Sequence, residues 1–467
     1  MKKSLKLHFV GIGGIGMSGI AEIFLSQGMV VSGSDLAPSE TTDRLERMGA
    51  KISIGHDRSH VSKVDVVVIS SAVKADNPEV MEARSRGIPV IPRAEMLAEI
   101  MRGKTGLAIA GTHGKTTTTS MAAQILLAAD LDPTVVVGGK VQAIGSNAKM
   151  GSGDLVVVEA DESDGSFHLL PATYAVITNV DTDHMEFYET RENLDQAFID
   201  FARKLPFYGR VWVCLEDPGS AAILPRITKP FSTYGFSEQA DLVAKNLRTQ
   251  PGGRQIFDLL YRDQPAGLHR MLGTITLKVL GRHNVLNALG AIGIAFSAGA
   301  DFKAAKEALG KFQHVKRRFD ERFFSERSGI RIIDDYGHHP TEISAVLSTA
   351  RQTDSDRIVT VFQPHRYSRT RLCWKEFLNC FAETDELILL PIYAASEEPI
   401  EGVTSEALAL AIQASLGSKT RVRSVQSLDE AASLVSKEAR PRDLILTLGA
   451  GSITRLPDAL IPHLEAT

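Results

Sequence analysis

The sequence predicts an α/β fold made of three domains, each built on a largely parallel sheet. Short apolar runs that suit buried strands alternate with helical patterns along almost the whole chain, which is the order typical of such folds. Glycine-bearing turns twice join a strand to a helix, near residues 11–16 and 111–116. A chain of 467 residues is too long for a single hydrophobic core. We therefore predict three domains, at residues 1–104, 105–319 and 320–467.

The composition is that of an ordinary globular chain without a basic surface. Its formal net charge is −4, so nucleic acid is not an expected partner, and anionic ligands must be held by local groups. Three cysteines without metal-type spacing indicate a reducing compartment. The apolar start is broken by glycines, which argues against a signal peptide, and no run reaches the roughly 18 apolar residues of a membrane span. We expect a cytoplasmic protein with no membrane partner, either a monomer or a weak homodimer.

The first block begins with the strand L-K-L-H-F-V and a glycine loop. Gly11, Gly13 and Gly16 form a G-x-G-x-x-G pattern that opens a helix, and Asp35 lies nineteen residues after Gly16 at the end of the next strand. This pattern is typical of a Rossmann-like domain, in which the helix N-terminus faces a pyrophosphate and the acid a ribose. The loop recognises a diphosphate, and its pattern does not separate NAD from a UDP-sugar.

The second block opens with the run A-I-A-G-T-H-G-K-T-T-T-T. Gly111 and Gly114 leave backbone amides free to face an anion, and Lys115 can reach terminal phosphates. The hydroxyl of Thr116 would bind Mg²⁺. The spacing is shorter than usual, because Ile109 stands where the first glycine is expected. We nevertheless predict a P-loop ATPase-type α/β domain that binds a nucleoside triphosphate.

Acidic side chains follow the next strand of this block, D-L-V-V-V. An apolar strand that ends in acids is the usual companion of a phosphate loop and supplies a Mg²⁺ ligand. Glu159 is the first of these acids and the expected ligand, whereas Glu162 is expected to be a solvated loop residue. His184 follows a further strand and shares the sheet edge with Lys115, so it is either a metal ligand or a loop histidine.

The third block repeats the alternation of strands and helices, which predicts a second Rossmann-like domain of about 150 residues. Two of its strands end in D-D-Y-G-H-H-P and in Q-P-H-R-Y-S-R. His339 and Arg366 lie in these two loops and could meet in one crevice. Zinc is not expected at the paired histidines, because cysteine or acidic ligands at suitable spacing are missing.

With these motifs assembled, the chain resembles the ATP-dependent Mur ligases of peptidoglycan synthesis along essentially its whole length. The shorter glycine spacing of the second loop is the one that this family uses. The motifs occur in one order across the three domains, as G-I-G-G-I-G-M-S-G-I-A, G-T-H-G-K-T-T, E-A-D-E-S-D, T-N-V-D-T-D-H, G-R-H-N-V-L-N-A, R-R-F, D-D-Y-G-H-H-P-T-E and F-Q-P-H-R-Y-S-R-T.

The resemblance implies a cell-wall ligase that uses ATP and Mg²⁺ to join L-alanine to UDP-N-acetylmuramate through an acyl phosphate. The first domain would hold the UDP-sugar through Gly11, Gly13, Gly14, Gly16, Asp35, Ser70 and Ser71. ATP would bind through Gly111, Thr112, His113, Gly114, Lys115, Thr116, Thr117, His283, Asn284, Arg318 and Asp334. Mg²⁺ would be held by Thr116, Glu159 and His184. The third domain would close over the site and bring in alanine, and the catalytic residues would be Lys115, His184, His339 and Arg366.

One departure from the family and three alternatives stay open at this stage. Several relatives carry a carbamoylated lysine where this chain has Ile199, so a second metal site is undecided. A ligase that adds an alanine-containing peptide in wall recycling is the nearest alternative, although the third-domain loops favour the free amino acid. An NAD-dependent dehydrogenase depends only on the first glycine loop and Asp35. A nucleotide-switched interaction protein would leave the histidine and arginine loops without a purpose.

Overall fold

The computed structural model describes residues 5–141, 144–250, 253–262 and 267–465. The chain divides into two compact units. The first comprises residues 1–248, 256–277 and 286–312, and the second comprises residues 249–255, 278–285 and 313–467. The described residues contain sheets of five, ten and six strands. The three sheets with their connecting helices agree with the predicted α/β class, while the domain boundaries at 104/105 and 319/320 stay predictions.

The N-terminal sheet is entirely parallel, in the order β3-β2-β1-β4-β5. Its strands are β1 Lys6–Val10, β2 Val30–Asp35, β3 Lys51–Ile54, β4 Val66–Ile69 and β5 Val90–Pro92. Its helices are α1 Ile15–Ser26, α2 Glu40–Arg47, α3 Pro78–Ser85 and α4 Arg93–Met101. The strand order reverses between β1 and β4, and ligands bind in open sheets at such a switch point. The glycine loop follows β1 and therefore lies at that point.

The ten-stranded sheet has a parallel centre, in the order β15-β14-β13-β12-β11-β10-β6-β9-β7-β8. Its strands are β6 Thr105–Ala110, β7 Thr134–Val141, β8 Ser146–Lys149, β9 Leu155–Glu159, β10 Tyr174–Ile177, β11 Arg210–Cys214, β12 Phe231–Gly235, β13 Leu242–Gln250, β14 Arg254–Tyr261 and β15 Arg270–Leu277. The helices are α5 Lys115–Ala128, α6 Met185–Tyr188, α7 Arg191–Arg203, α8 Pro218–Ile223, α9 Arg282–Ser297 and α10 Phe302–Lys311. β6 lies between β9 and β10 and pairs in parallel with both, so the loops after these three strands share one edge.

The third sheet has the order β16-β17-β21-β18-β19-β20 and is parallel except for β16. Its strands are β16 Asp320–Phe324, β17 Arg331–Asp335, β18 Arg357–Phe362, β19 Glu386–Leu389, β20 Arg421–Ser424 and β21 Asp443–Leu448. The helices are α11 Pro340–Ala350, α12 Tyr367–Leu372, α13 Trp374–Phe377, α14 Ser405–Leu416, α15 Leu428–Glu438 and α16 Leu456–Glu465. None of the helices within the described ranges is both long and apolar enough to cross a membrane.

One apolar cluster runs through the N-terminal domain and into the middle domain of the first unit. It contains Phe24 of α1, Ala148 of β8 and Phe198 of α7, all buried. Ile199 is a fully buried member of the same cluster. Packing of α1 against the β7–β8 hairpin therefore makes the two domains share a core.

Polar contacts fix the same junction between α1 and the β7–β8 hairpin. Asn147 donates from Nδ2 to the backbone oxygen of Ile15 at 2.5 Å. The neighbouring Ser146 donates to Glu22 at 2.9 Å and accepts from Arg44 at 2.6 Å. Arg44 and the nearly buried Glu22 also form an ion pair. Because burial of a charge is costly unless it is paired, these contacts hold α1 on the hairpin in one register.

Gly33 of β2 provides a test of how tightly β2 packs against β1 and the glycine loop. An ideal Cβ there would lie 2.6 Å from Ile12 Cδ1 and 2.7 Å from Phe9 O. We expect Gly33→Ala to lower the midpoint of thermal unfolding, since overpacking costs about 1–3 kcal/mol. Scanning calorimetry checks this, with Val30→Ala as the control because Val30 is exposed on the same strand. An unchanged midpoint for Gly33→Ala would contradict the packing described here.

Candidate active site

The phosphate loop between β6 and α5 has room only for glycine at two positions. Gly111 has φ +131° and Gly114 has φ +81°, which is backbone that other residues adopt at a cost. A Cβ at Gly111 would lie 2.0 Å from Thr178 Oγ1, and one at Gly114 would lie 2.4 Å from Asn287 Oδ1. Both glycines are therefore required by the neighbours that pack on the loop, as well as by its conformation.

The segment after β10 clamps the middle of this loop. His113 donates from its backbone amide to Asn179 Oδ1 at 2.8 Å, and its backbone oxygen accepts from Asn179 Nδ2 at 2.9 Å. Thr178 donates a further hydrogen bond to the same oxygen at 2.6 Å. The backbone amide of Asp181 donates to Thr112 Oγ1 at 2.9 Å. The loop conformation is thus fixed by hydrogen bonds from the adjacent strand.

Lys115 begins α5, and its ammonium lies in the concave side of its own loop. It donates to Gly111 O at 2.7 Å and to Thr112 O at 3.0 Å. It also forms an ion pair with Glu162 Oε2 at 2.8 Å. Burial alone would lower the pKa of Lys115, but the surrounding carboxylates, led by Glu162, raise it above its usual value. The lysine therefore keeps its positive charge at neutral pH.

The structure overturns the expectation that Glu162 is a solvated loop acid. Its side chain is only 1% exposed and faces Lys115. Burial raises the pKa of Glu162 to about 7, against the opposing effect of Lys115. Tyr188 fixes the backbone at this point, since its hydroxyl donates to Glu162 O. The expectation was wrong because the strand-end loop folds back onto a lysine 47 positions away, which no local pattern reveals.

Thr116 and Glu159 come together as the sequence predicts for a magnesium site. Thr116 Oγ1 lies 3.1 Å from each carboxylate oxygen of Glu159. Glu159 ends β9, and it also accepts a hydrogen bond from the backbone amide of Gly138 at 2.8 Å. Carboxylate and hydroxyl oxygens are ligands that suit Mg²⁺, so this pair fits the ion. Thr117, the next residue of α5, is buried.

His184, the third predicted metal ligand, lies beside Glu162. Its Nε2 atom is 3.9 Å from Glu162 Oε1 and 3.7 Å from Asp183 Oδ2. The residue caps α6 with a φ of +56°, which non-glycine residues rarely adopt. Such strained backbone is often found at functional sites. The imidazole thereby lies next to the acidic loop whose Glu162 pairs with Lys115.

In the N-terminal domain, Asp35 closes the first glycine loop. Its Oδ2 atom accepts from the backbone amide of Gly13 at 2.8 Å, and its Oδ1 atom accepts from that of Leu36 at 2.8 Å. Gly11 donates from its amide to Ser34 O at 2.8 Å. One carboxylate oxygen of Asp35 thus binds the glycine loop and the other binds the adjacent backbone, and its predicted contact with a ribose stays a prediction.

The remaining residues predicted for the UDP-sugar lie around the same sheet edge. Gly14 is the N-cap of α1, and Gly16 is in its first turn. Ser70 and Ser71 directly follow β4, the strand on the other side of the switch point. Ser71 is exposed and Ser70 is partly exposed. The structure therefore brings these residues to one edge of the sheet.

Arg93, which the sequence reasoning missed, connects the start of α1 to the acidic loop that follows β9. A Cβ at Gly16 would lie 3.0 Å from Arg93 Nη1, so the guanidinium packs on the start of α1. Arg93 Nη2 also donates to Asp161 Oδ2 at 3.2 Å. Burial alone would raise the pKa of Asp161, but Lys115 and Arg93 lower it below the usual range. No spacing in the sequence relates Arg93 to an acid 68 positions away.

The second unit carries the other residues predicted to bind ATP. Burial lowers the pKa of His283 to about 4, so its imidazole is neutral at physiological pH. Asn284 donates to Leu280 O at 2.6 Å. Asp334 is fully buried and pairs with Arg317 at 3.1 Å. The predicted Arg318 instead reaches Glu342, with Nη1 3.4 Å from Oε1.

His339 and Arg366 follow β17 and β18, which flank β21 in parallel, so both lie at one edge of the third sheet. His339 is 4% exposed and caps α11, with Cys373 Sγ 3.6 Å from its Nε2 atom. Arg366 has a φ of +71° and donates from its amide to Tyr393 O at 2.8 Å. Its Nε atom is 3.9 Å from Glu397 Oε1. The two side chains therefore lie in structured loops.

Comparison with known proteins places this architecture in one family. Three family profiles match successive parts of the chain: "Mur ligase family, catalytic domain" at residues 6–105, "Mur ligase middle domain" at 109–295 and "Mur ligase, glutamate ligase domain" at 317–451. A UDP-N-acetylmuramate–L-alanine ligase of Anaeromyxobacter sp. (strain Fw109-5) is 52% identical over 461 residues, which cover 99% of this chain and 98% of the relative.

Solved structures resemble the chain over its full length as well. A UDP-N-acetylmuramate-alanine ligase of Thermotoga maritima has a TM-score of 0.82 at 30% identity, with 99% of each chain covered. A murein peptide ligase of Psychrobacter arcticus has a TM-score of 0.72 at 23% identity, also with 99% of each chain covered, and shares the fold. The chain has the three-domain architecture of the Mur ligases and belongs to that family.

Proposed function

We propose that this chain ligates L-alanine to the lactyl carboxylate of UDP-N-acetylmuramate at the expense of ATP, in the cytoplasmic synthesis of peptidoglycan precursors. The observation that carries the proposal is the phosphate loop, with Lys115 in its concave side and Thr116 against Glu159. The names of relatives about half identical over nearly the whole chain support this choice of substrates.

The reaction needs activation, because a carboxylate at neutral pH does not react with an amine. A carboxylate oxygen of the muramic acid attacks the γ-phosphorus of ATP, ADP leaves, and an acyl phosphate forms. Lys115 neutralises charge on the transferring phosphoryl group, where positioning and electrostatics account for most of the catalysis. The alanine amine then attacks the acyl carbon, phosphate leaves, and the nitrogen loses a proton.

The ammonium of Lys115 is prepared for this role before ATP binds. Its hydrogen bonds to Gly111 O and Thr112 O are contacts that phosphate oxygens can replace. The ion pair with Glu162 keeps the charge in position while these contacts change. Mg²⁺ bound by Thr116 and Glu159, with His184 beside their loop, would neutralise further charge on the phosphates.

The other proposed ligand-binding residues are those that the resemblance to the Mur ligases implies. The sugar nucleotide binds at Gly11, Gly13, Gly14, Gly16, Asp35, Ser70 and Ser71. His283, Asn284, Arg318 and Asp334 contribute to the ATP site. Arg366 recognises the alanine carboxylate or the reacting phosphate, since a guanidinium can bind either in bidentate fashion. His339 is the proposed acceptor of the amine proton. The proposed domain boundaries place the three domains at residues 1–104, 105–319 and 320–467.

An ADP-release assay tests the substrates directly. UDP-N-acetylmuramate and ATP are combined with each proteinogenic amino acid in turn, and with an alanine-containing tripeptide. We expect release of ADP with L-alanine above all other amino acids and above the tripeptide. Preference for the tripeptide would contradict the proposal and indicate a recycling ligase. Failure of UDP-N-acetylmuramate to support any ADP release would refute the sugar-nucleotide assignment.

Lys115→Ala tests the phosphate loop. We expect kcat to fall by a factor on the order of 10² or more, because a charge that meets the developing transition state is removed. Steady-state turnover measures this, while circular dichroism confirms that the variant is folded. Lys104→Ala is the matched control, since Lys104 directly precedes β6 and its ammonium donates to Gly153 O, away from the phosphate loop. Turnover of Lys115→Ala near the wild-type value would exclude the assignment.

Glu159→Gln and His184→Ala test the metal assignment. We expect both to raise the Mg²⁺ concentration for half-maximal turnover, because each removes a ligand, and to leave UDP-N-acetylmuramate affinity unchanged. Magnesium titrations and calorimetry of the sugar nucleotide supply the two measurements. Asp132→Asn is the control, since this acid forms a surface ion pair with Lys149. Lost sugar affinity with an unchanged Mg²⁺ dependence would show that the metal role is wrong.

A further inference from the structure

A buried carboxylate in the N-terminal domain has no part in the site described so far. Glu79, in the first turn of α3, is fully buried, and each of its oxygens faces two polar partners. Oε1 lies 2.5 Å from His60 Nδ1 and 3.5 Å from His8 Nε2. Oε2 accepts from Ser34 Oγ at 2.7 Å and lies 3.0 Å from His56 Nδ1. Three imidazoles and a hydroxyl therefore surround one carboxylate.

These partners come from two strands of the N-terminal sheet and from the segment that follows a third. His8 lies in β1 and Ser34 in β2, while His56 and His60 follow β3. Glu79 itself lies after β4, and Asn77 caps its helix by accepting from the Glu79 amide at 2.9 Å. One side chain thus joins four successive segments of the parallel sheet.

Ser34 links this cluster to the glycine loop. Its hydroxyl donates to Glu79, while its backbone oxygen accepts from Gly11 at 2.8 Å and from Ile12 at 3.0 Å. The next residue, Asp35, accepts from the amide of Gly13. Glu79 therefore anchors the end of β2 through the Ser34 side chain. The end of β2 in turn binds the glycine loop through its backbone.

The cluster requires a carboxylate at this position. Burial alone would raise the pKa of Glu79, but hydrogen bonds from His8, Ser34 and His60 lower it to about 2. Glu79 is therefore ionised at neutral pH. A glutamine of the same shape would place an NH₂ group, which accepts no hydrogen bond, against two of the four partners. Buried donors left without acceptors are costly, so the surrounding segments would shift.

We propose that Glu79 is a positioning residue for the sugar-nucleotide site, one that holds the glycine loop and the segment of residues 55–60 in their binding geometry. The inference rests on the proposed function only in taking UDP-N-acetylmuramate as the ligand. A preformed site binds more tightly because less conformational freedom is lost on binding. Glu79 touches no reacting group in this assignment, so its effect falls on sugar affinity and leaves phosphoryl transfer unchanged.

Glu79→Gln tests the inference by separating affinity from turnover. We expect the Kd of UDP-N-acetylmuramate, measured by calorimetry on the full chain, to rise at least about tenfold through lost preorganisation. The kcat at saturating UDP-N-acetylmuramate and the KM for ATP should stay within about twofold of the wild-type values. The reason is that the lost interaction stabilises the bound ground state and the transition state equally. Glu82→Gln is the matched control, because Glu82 lies on the same helix in an exposed ion pair with Arg86.

Ser34→Ala provides a second variant in case Glu79→Gln does not fold. It removes the hydroxyl that links β2 to Glu79 and to His56 but leaves the carboxylate and its histidine partners in place, so we expect a smaller rise in the same Kd. Sugar affinity unchanged in either folded variant, with only the melting temperature lowered, would make the cluster merely structural and overturn the inference. A wild-type chain that does not bind UDP-N-acetylmuramate would contradict the proposed function as well, whereas intact wild-type binding with unaltered variants contradicts this inference alone.

Discussion

A lysine ammonium buried among backbone oxygens must be neutralised, and in the middle domain Glu162 pairs with it while Asp161 and Glu159 add negative charge nearby. The pair draws the acidic loop after β9 onto the first turn of α5. Glu159 and His184 take up their positions as parts of the same arrangement. Because a buried charge without a partner is strongly destabilising, the loop stays formed in the absence of nucleotide. Stability and readiness for phosphate binding therefore have one origin.

The order of the parallel strands determines where the other candidate site residues lie. Loops that follow neighbouring parallel strands emerge at the same edge, so residues far apart in sequence converge without special long-range contacts. The N-terminal sheet gathers Asp35 and Ser70 in this way, and the third sheet gathers His339 and Arg366. The central strands, such as β6, β9 and β21, are largely buried apolar runs, as expected of parallel strands inside a sheet. Many of the candidate site residues lie at or just after strand ends or at the starts of the helices that follow them.

Much of this could be predicted from the sequence, and the division between success and failure has a physical reason. Lys115, Thr116 and Gly111 belong to one short motif, so their proximity follows from local spacing. Glu159 ends a strand, which a run of valines makes visible. The partners of Glu162 and Arg93 are 47 and 68 positions away, and the partners of Glu79 extend back to His8 in β1, so only folding brings these groups together. A buried acid and a solvated acid look alike until the packing around them is known.

Asn147 and Ser146 form hydrogen bonds to α1, and an apolar cluster packs at the same junction. These contacts couple the unfolding of the N-terminal domain to that of the middle domain. Two domains that share a core lose structure together, because separating them exposes apolar surface on both. A ligand that binds only the folded N-terminal domain then stabilises the middle domain too, by mass action. A ligand on the first glycine loop would in this way raise the resistance of the middle domain to unfolding and to proteolysis.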